Sequence, residues 1–271
     1  GALTENQALS VTVTDVNEAP VITSDGGGAM AAIDAAENQT SVTTVAASDA
    51  DAGDTVAYAV TGGADQALFA IDAGTGALTF QSAPDFETPA DADLDGIYEV
   101  EVTATDSGAL TDSQALSVTV TDGNEAPVIT SDGGGVTASV NASENQTSVT
   151  TVAASDVDAG DTVAYAVTSG ADQALFTIDA GTGALAFQSA PDFETPADAD
   201  LDGVYEVEVT ATDSGALTEN QALSVTVTDG NEAPVITSDG GGATAAIDAT
   251  ENQTSVTTVA ASDVAADTDR K

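Results

Sequence analysis

The chain has 271 residues, with 46 acidic residues, 2 basic residues, no histidine and a formal net charge of −44. Both basic residues, Arg270 and Lys271, stand at the extreme end. The rest of the chain has no cation to meet phosphate, which excludes nucleic acid as a partner and argues against anionic membrane surfaces. The absence of cysteine excludes disulfides and thiolate chemistry. Without histidine or cysteine there is no Ser-His or Cys-His nucleophile, and metal binding points away from zinc and copper toward calcium, which takes oxygen ligands.

Taken in chain order, residues 1–19 read as the C-terminal strand or strands of a truncated repeat. Residues 21–24 and 41–47 are strand candidates. Val56-Ala57-Tyr58-Ala59-Val60 places Val56, Tyr58 and Val60 on one face. Residues 69–72 and 77–80 read as two strands joined by the turn Ala73-Gly74-Thr75-Gly76. Residues 98–105 and 116–121 alternate apolar and polar side chains, the mark of strands with one buried face. Nothing sustains a 3.6-residue apolar period.

The pattern then recurs. Asp15-Val16-Asn17-Glu18-Ala19-Pro20 returns as Asp122-Gly123-Asn124-Glu125-Ala126-Pro127 and again as Asp229-Gly230-Asn231-Glu232-Ala233-Pro234, a period of 107 residues. Between the two full copies, about 13 positions differ. A period of this length means whole domains in tandem, because solenoid units run to about 20–50 residues and independent domains to about 100–150. The expected boundaries are 1–19, 20–126, 127–233 and 234–271. The chain reads as a window cut from a longer array, so the lack of a visible signal peptide, anchor or membrane span carries no weight.

Many short strands within about 100 residues suggest an all-β fold of tandem seven-stranded Greek-key β-sandwiches. Their core is expected to hold Ile22, Val42, Val45, Val56, Tyr58, Val60, Phe69, Ile71, Leu78, Phe80, Tyr98, Val100, Val102, Leu116, Val118 and Val120, with the matching set 107 residues on. An odd number of antiparallel strands puts entry and exit at opposite ends, which predicts end-to-end stacking as a rod.

The acids concentrate in loops and at strand ends: Glu37, Asp49-Ala50-Asp51, Asp85-Phe86-Glu87, Asp106 and Asn124-Glu125. This set resembles the cadherin family, in that family's order: an early Glu, a D-x-D followed by glycine, a D-x-E, an A-x-D and a D-x-N-D-x-P-like linker. The stretch from Phe69 to Leu78 is similar to the family's central hairpin. The resemblance implies calcium at each junction between repeats. The upper repeat would supply Glu37, Asp85 and Glu87. The linker would supply Asn124 and Glu125 with the Gly123 and Ala126 carbonyls, and the next repeat Asp156, Asp158 and Asp213. Only this junction has both halves intact. The first keeps Asn17, Glu18, Asp49, Asp51 and Asp106. The last has Glu144, Asp192, Glu194, Asn231 and Glu232, followed by Asp263 in a broken D-x-D pattern. The linker acid is Glu125 where the family usually has Asp. So many carboxylates at one joint would repel strongly unless divalent cations sat among them.

A separate motif, Asp91-Ala92-Asp93-Leu94-Asp95-Gly96, recurs with Asp198, Asp200, Asp202 and Gly203. Its D-x-D-x-D-G spacing matches the start of a calcium loop, but the bidentate Glu at the twelfth position is absent and Val102 stands there. It reads either as an intradomain calcium site or as a solvated acidic loop. The N-x-T sequons at Asn38, Asn145 and Asn252 read as turn residues beside the early Glu rather than as glycan acceptors. Exposed Thr and Ser on the strand faces could carry O-glycans but equally reflect strand propensity. Gly26-Gly27-Gly28 lacks the lysine of a phosphate loop and reads as a bulge or crossover. Paired acids repeated in every domain suit metal ligation better than hydrolase chemistry, so no enzyme activity is expected.

The expected function is structural: an adhesive stalk of a calcium-stiffened array, extracellular or at a cell surface. The alanine-rich, lysine-free, nearly identical repeats suggest a bacterial surface protein or filament. A calcium-dependent carbohydrate-binding module is the alternative, weakened by the absence of tryptophan and by only four tyrosines, all expected in the core. The expected partners are calcium ions, identical chains or surface polysaccharide.

Overall fold

The computed structural model describes residues 1–263. The stretch 265–271, where the repeat pattern ends, lies outside the described residues. The chain divides into two compact units that meet at Gly123 and Asn124. No helix among the described residues is long and apolar enough to cross a membrane.

The first repeat carries nine short strands: β1 (Val21–Ile22), β2 (Met30–Ala36), β3 (Ser41–Thr44), β4 (Ala47–Ser48), β5 (Ala57–Gly62), β6 (Phe69–Ile71), β7 (Ala77–Phe80), β8 (Ile97–Thr105) and β9 (Thr111–Thr121). One sheet runs β2-β9-β8-β5 and a second β3-β7-β6, while β1 pairs with β4. Joining β1 to β2 and β3 to β4 recovers the seven expected strand lines. The second repeat copies the arrangement in β10 (Val128–Ile129), β11 (Thr137–Ser143), β12 (Ser148–Thr151), β13 (Ala154–Ser155), β14 (Ala164–Ser169), β15 (Phe176–Ile178), β16 (Ala184–Phe187), β17 (Val204–Thr212) and β18 (Thr218–Thr228). Beyond it, β19 (Val235–Ile236) pairs with β20 (Ala261–Ser262).

Two expectations need correcting. The first is that all strands are antiparallel: β2 runs parallel to β9, with Ile33 opposite Val118, and β11 runs parallel to β18. The second concerns β2 itself, which the periodicity does not show. Met30-Ala31-Ala32-Ile33-Asp34-Ala35-Ala36 is mostly alanine, a weak strand former. Pairing with β9 and burial of Ala35 at 5 % exposure hold it in place. The turn after β1 carries Asp25, Gly26, Gly27 and Gly28, all at positive φ. The chain crosses here from the partner of β4 to the partner of β9, so the triple glycine is the crossover that its sequence suggests.

All sixteen expected core residues lie in or against the first repeat's apolar cluster. Phe69, Phe80 and Tyr98 form its aromatic centre, with ring centroids 4.7 and 5.2 Å apart along the chain Phe69–Phe80–Tyr98. The buried phenol oxygens find partners, as buried Tyr usually does. Tyr98 accepts the Ala90 N–H at 3.0 Å and Tyr58 the Ala47 N–H at 2.9 Å. These bonds tie the loop ahead of β8, and β4, to the core. The second repeat has the matching cluster.

Residues 1–15 are identical to residues 215–229, yet residues 1–19 form no strand and lie exposed.

Candidate metal centre

The acids gather at the two ends of each repeat and in one loop. An upper set forms where β2 ends and the linker begins. Glu37 is only 5 % exposed. Its Oε1 accepts the Gly123 N–H at 2.8 Å and its Oε2 the Phe86 N–H at 2.9 Å. One side chain thus holds both the linker and the Asp85-Phe86-Glu87 loop. Glu37, Glu87 and Asp122 bring carboxylate oxygens within 4.8 Å of one another.

The second repeat shows the same set with its linker acid. Glu144, Glu194, Asp229 and Glu232 each bring an oxygen within 4.8 Å of the others. Glu144 accepts N–H groups from Gly230 at 2.6 Å and Phe193 at 3.0 Å. Asn145 Nδ2 donates to Glu232 Oε1 at 2.9 Å, while Glu232 Oε2 is buried with no hydrogen-bond partner. Burial pushes the Glu232 carboxyl above its ordinary value, helped by the charges of Glu144 and Glu194. Burial does the same for Glu194, with Glu144 and Asp229 adding to it. Asp192 adds its charge to Glu194 but is not itself raised. The Thr195 hydroxyl and N–H hold it below the ordinary range, as Thr88 does for Asp85.

A lower set forms at the other end of each repeat. In the second repeat, Asp213 is 6 % exposed and accepts the Leu217 N–H at 2.7 Å and Asn124 Nδ2 at 2.8 Å. Asp158 Oδ2 accepts the Glu125 N–H at 2.9 Å, and Asp156 Oδ1 the Asp158 N–H at 3.1 Å. The Ser214 hydroxyl donates to Asp161 Oδ1. Asp156, Asp158 and Asp161 therefore each have one oxygen tethered. The other oxygen (Asp156 Oδ2, Asp158 Oδ1 and Asp161 Oδ2) is buried without a hydrogen-bond partner. Gly215 makes room for the linker, since a Cβ there would stand 2.0 Å from Asn124 Oδ1.

The first repeat repeats this lower set. Asn17 Nδ2 donates to Asp106 at 2.8 Å, and the Glu18 N–H to Asp51 at 2.8 Å. The D-x-D pair divides its work. Asp49 gathers with Asp54 and Asp106, while Asp51 gathers with Asp15 and Glu18. The Asp51 charge raises the Glu18 carboxyl first, then burial and Asp15. Asp49 Oδ2 and Asp54 Oδ2 are buried without partners.

The structure adds acids that the motif reading passed over: Asp54 and Asp161, Asp122 and Asp229, and Asp15. Two signals could have found them. Asp122 lies inside the boundary motif, and Asp54 recurs 107 residues on as Asp161. Of the remaining candidates, Asn231 Nδ2 donates to the Glu232 carbonyl at 3.1 Å, and Asp263 is exposed at the end of the described residues.

The Asp91, Asp93 and Asp95 loop also brings three carboxylate oxygens within 4.8 Å. Asp91 is nearly buried, but its oxygens accept the Asp95 N–H at 2.8 Å and the Gly96 N–H at 3.2 Å. Burial pushes Asp91 up, and these N–H bonds outweigh it, so the carboxyl ends below its ordinary value. Asp198 copies the arrangement with Asp202 and Gly203.

Each sandwich thus has a parallel edge strand and gathers acids at both of its ends. The cadherin-domain family model matches residues 31–121 and 137–228. The chain is 33 % identical over 240 residues to human Cadherin EGF LAG seven-pass G-type receptor 2, covering 85 % of this chain and 8 % of that protein. It is 37 % identical over 161 residues to human Protocadherin Fat 4, covering 57 % of this chain and 3 % of that protein. The chain thus spans less than a tenth of these relatives. Among solved structures, human Protocadherin-24 EC1-2 aligns at 24 % identity and a TM-score of 0.49, covering 79 % of this chain and 100 % of that one. The chain belongs to the cadherin family, whose domains are adhesion modules rather than enzymes.

Proposed function

We propose that this chain is part of a calcium-stiffened extracellular extender, an adhesive stalk in which each linker between repeats becomes rigid when calcium binds. The reading is carried by the lower set of the second repeat. Asp156, Asp158 and Asp161 each hold one oxygen in a protein hydrogen bond and bury the other unpartnered. A buried, unpaired carboxylate oxygen is expensive. With no lysine, arginine or histidine in the repeats, a cation is the remaining partner. The donor set is all oxygen, which suits calcium.

In this reading the residues divide the work. Glu37 and Glu144 hold the start of each linker by its backbone N–H. Asp106 and Asp213 hold its asparagine. The aspartates with unpartnered oxygens, together with Glu87, Glu194, Asp122, Asp229 and the linker glutamates, supply the charge. Bound calcium would neutralise carboxylates that otherwise repel across the linker. The Asp91–Asp93–Asp95 loop and its copy come second as intradomain sites, because backbone N–H groups already take the Asp91 and Asp198 oxygens. The lysine-free, alanine-rich repeats favour a bacterial surface protein or filament as the setting. The carbohydrate-binding alternative has no support here, because Tyr98, Tyr165 and Tyr205 are buried and Tyr58 is half-buried in the core.

Small-angle scattering with calcium and with chelator tests the proposal. The largest dimension should be longest and sharpest with calcium, and should shorten and spread when the ion is removed. An unchanged distance distribution would rule out stiffening.

A further inference from the structure

The linker glutamate sits where the family resemblance calls for aspartate, and the structure shows a neighbour that compensates. Glu232 carries one more methylene than aspartate and so has more rotamer freedom to lose on ordering. Asn145 Nδ2 grips its Oε1 at 2.9 Å. That leaves Oε2, buried and without a partner, as the oxygen available to a cation. Asn145 is itself fixed. Its backbone sits at φ +59°, a left-handed conformation that asparagine tolerates better than most residues, and its N–H donates to the Pro191 carbonyl at 2.9 Å. It directly follows Glu144, whose two oxygens hold Gly230 and Phe193.

We propose that Asn145 is a positioning residue for calcium at the upper set of the second repeat. It pins one oxygen of Glu232 so that this glutamate offers the ion a single oxygen. This inference rests on the calcium reading above and deepens it. It also gives the N-Q-T motif a task that needs no glycan.

The test is a calcium titration of the full chain followed by NMR at the Gly230 and Phe193 amides, which report on this set alone. Asn145→Gly removes the amide while keeping the left-handed backbone and its N–H. Removing a group that orients a metal ligand typically weakens affinity 10- to 100-fold. A loss of about 10-fold is expected here, with the melting midpoint in chelator unchanged. Glu232→Asp supplies the control. Its shorter carboxylate does not reach the Asn145 amide, so adding Asn145→Gly to it should weaken binding no further. Wild-type affinity in Asn145→Gly would overturn the proposal, as would an equal loss in the Glu232→Asp background. No calcium-dependent shift at either amide in the wild type would overturn the metal reading itself, and this inference with it.

Discussion

Two acidic places in the second repeat look alike in sequence and differ in build. In the loop of Asp198, Asp200 and Asp202, the buried Asp198 carboxylate draws its hydrogen bonds from within the loop. Asp198 takes N–H groups only four and five residues away, from Asp202 and Gly203. The lower set is built from segments far apart in sequence. Asp213 takes Asn124 across 89 residues, and Asp158 takes Glu125 across 33. The local loop spends its buried oxygens on shaping a turn. In the long-range set Asp213 uses both oxygens on its partners, while Asp156, Asp158 and Asp161 each tether one oxygen and leave the other bare. Acid spacing alone therefore does not make a cation site. What matters is which oxygens the fold leaves unused.

The largest expected effect separates the two places directly. Asp213→Ala removes acceptors from Leu217 and Asn124, and Asp198→Ala removes acceptors from Asp202 and Gly203. Leaving a buried N–H unpaired costs about 1–3 kcal/mol, and the partly buried donors here less, so each variant should lower the melting midpoint in chelator by on the order of a few °C. Calcium should then divide them. Asp198→Ala should keep the full calcium-induced rise in midpoint, and Asp213→Ala should lose most of it. Equal calcium responses would erase the distinction drawn above.

Two finer changes sharpen it. Gly215→Ala places a Cβ 2.0 Å from Asn124 Oδ1, so Asn124 must leave Asp213. Calorimetry should show calcium affinity at this linker falling about 10-fold, as when a ligand loses its orienting partner. Asp161→Asn is milder, since it keeps an oxygen for Ser214 and removes only the charge. A several-fold loss of affinity would place Asp161 among the calcium-facing acids. Wild-type affinity would return it to a purely structural role.

The strand lines and core were legible because alternating Val, Tyr, Phe and Leu report one buried face, and all sixteen expected core residues pack together. Strand β2 was not legible, because alanine carries little period-2 signal and the strand forms through its parallel pairing with β9. The site divides similarly. Glu37, Asp106 and the D-x-D acids stand in short motifs. Asp54 and Asp161 do not, because their part depends on serines 53 residues away, Ser107 and Ser214. The division of Asp49 and Asp51 between two groups also depends on which distant acids each loop end meets, which spacing does not encode.

The smallest expected effect is in pH, and it has opposite signs at different acids. In metal-free protein, Glu18, Glu194 and Glu232 have carboxyls raised above the ordinary 4.5. Their contribution to stability is fully present below that value and is lost as pH rises through the raised folded value. Asp85 and Asp192, held below 3.8 by Thr88 and Thr195, contribute stability above 3.8 that is lost as pH falls through the lowered value. In chelator, the melting midpoint should therefore climb slightly on acidification from neutral toward 4.5, then fall below 3.8. Solvent screening keeps both changes small. Calcium should reverse the first limb, because bound carboxylates must be deprotonated and protons compete with the ion. Glu232→Gln removes one titrating group from the upper set, so it should flatten the climb in chelator and leave the fall below 3.8 intact. If the climb in chelator is as steep in Glu232→Gln as in the wild type, burial and like-charge crowding at the linker glutamate are not its source.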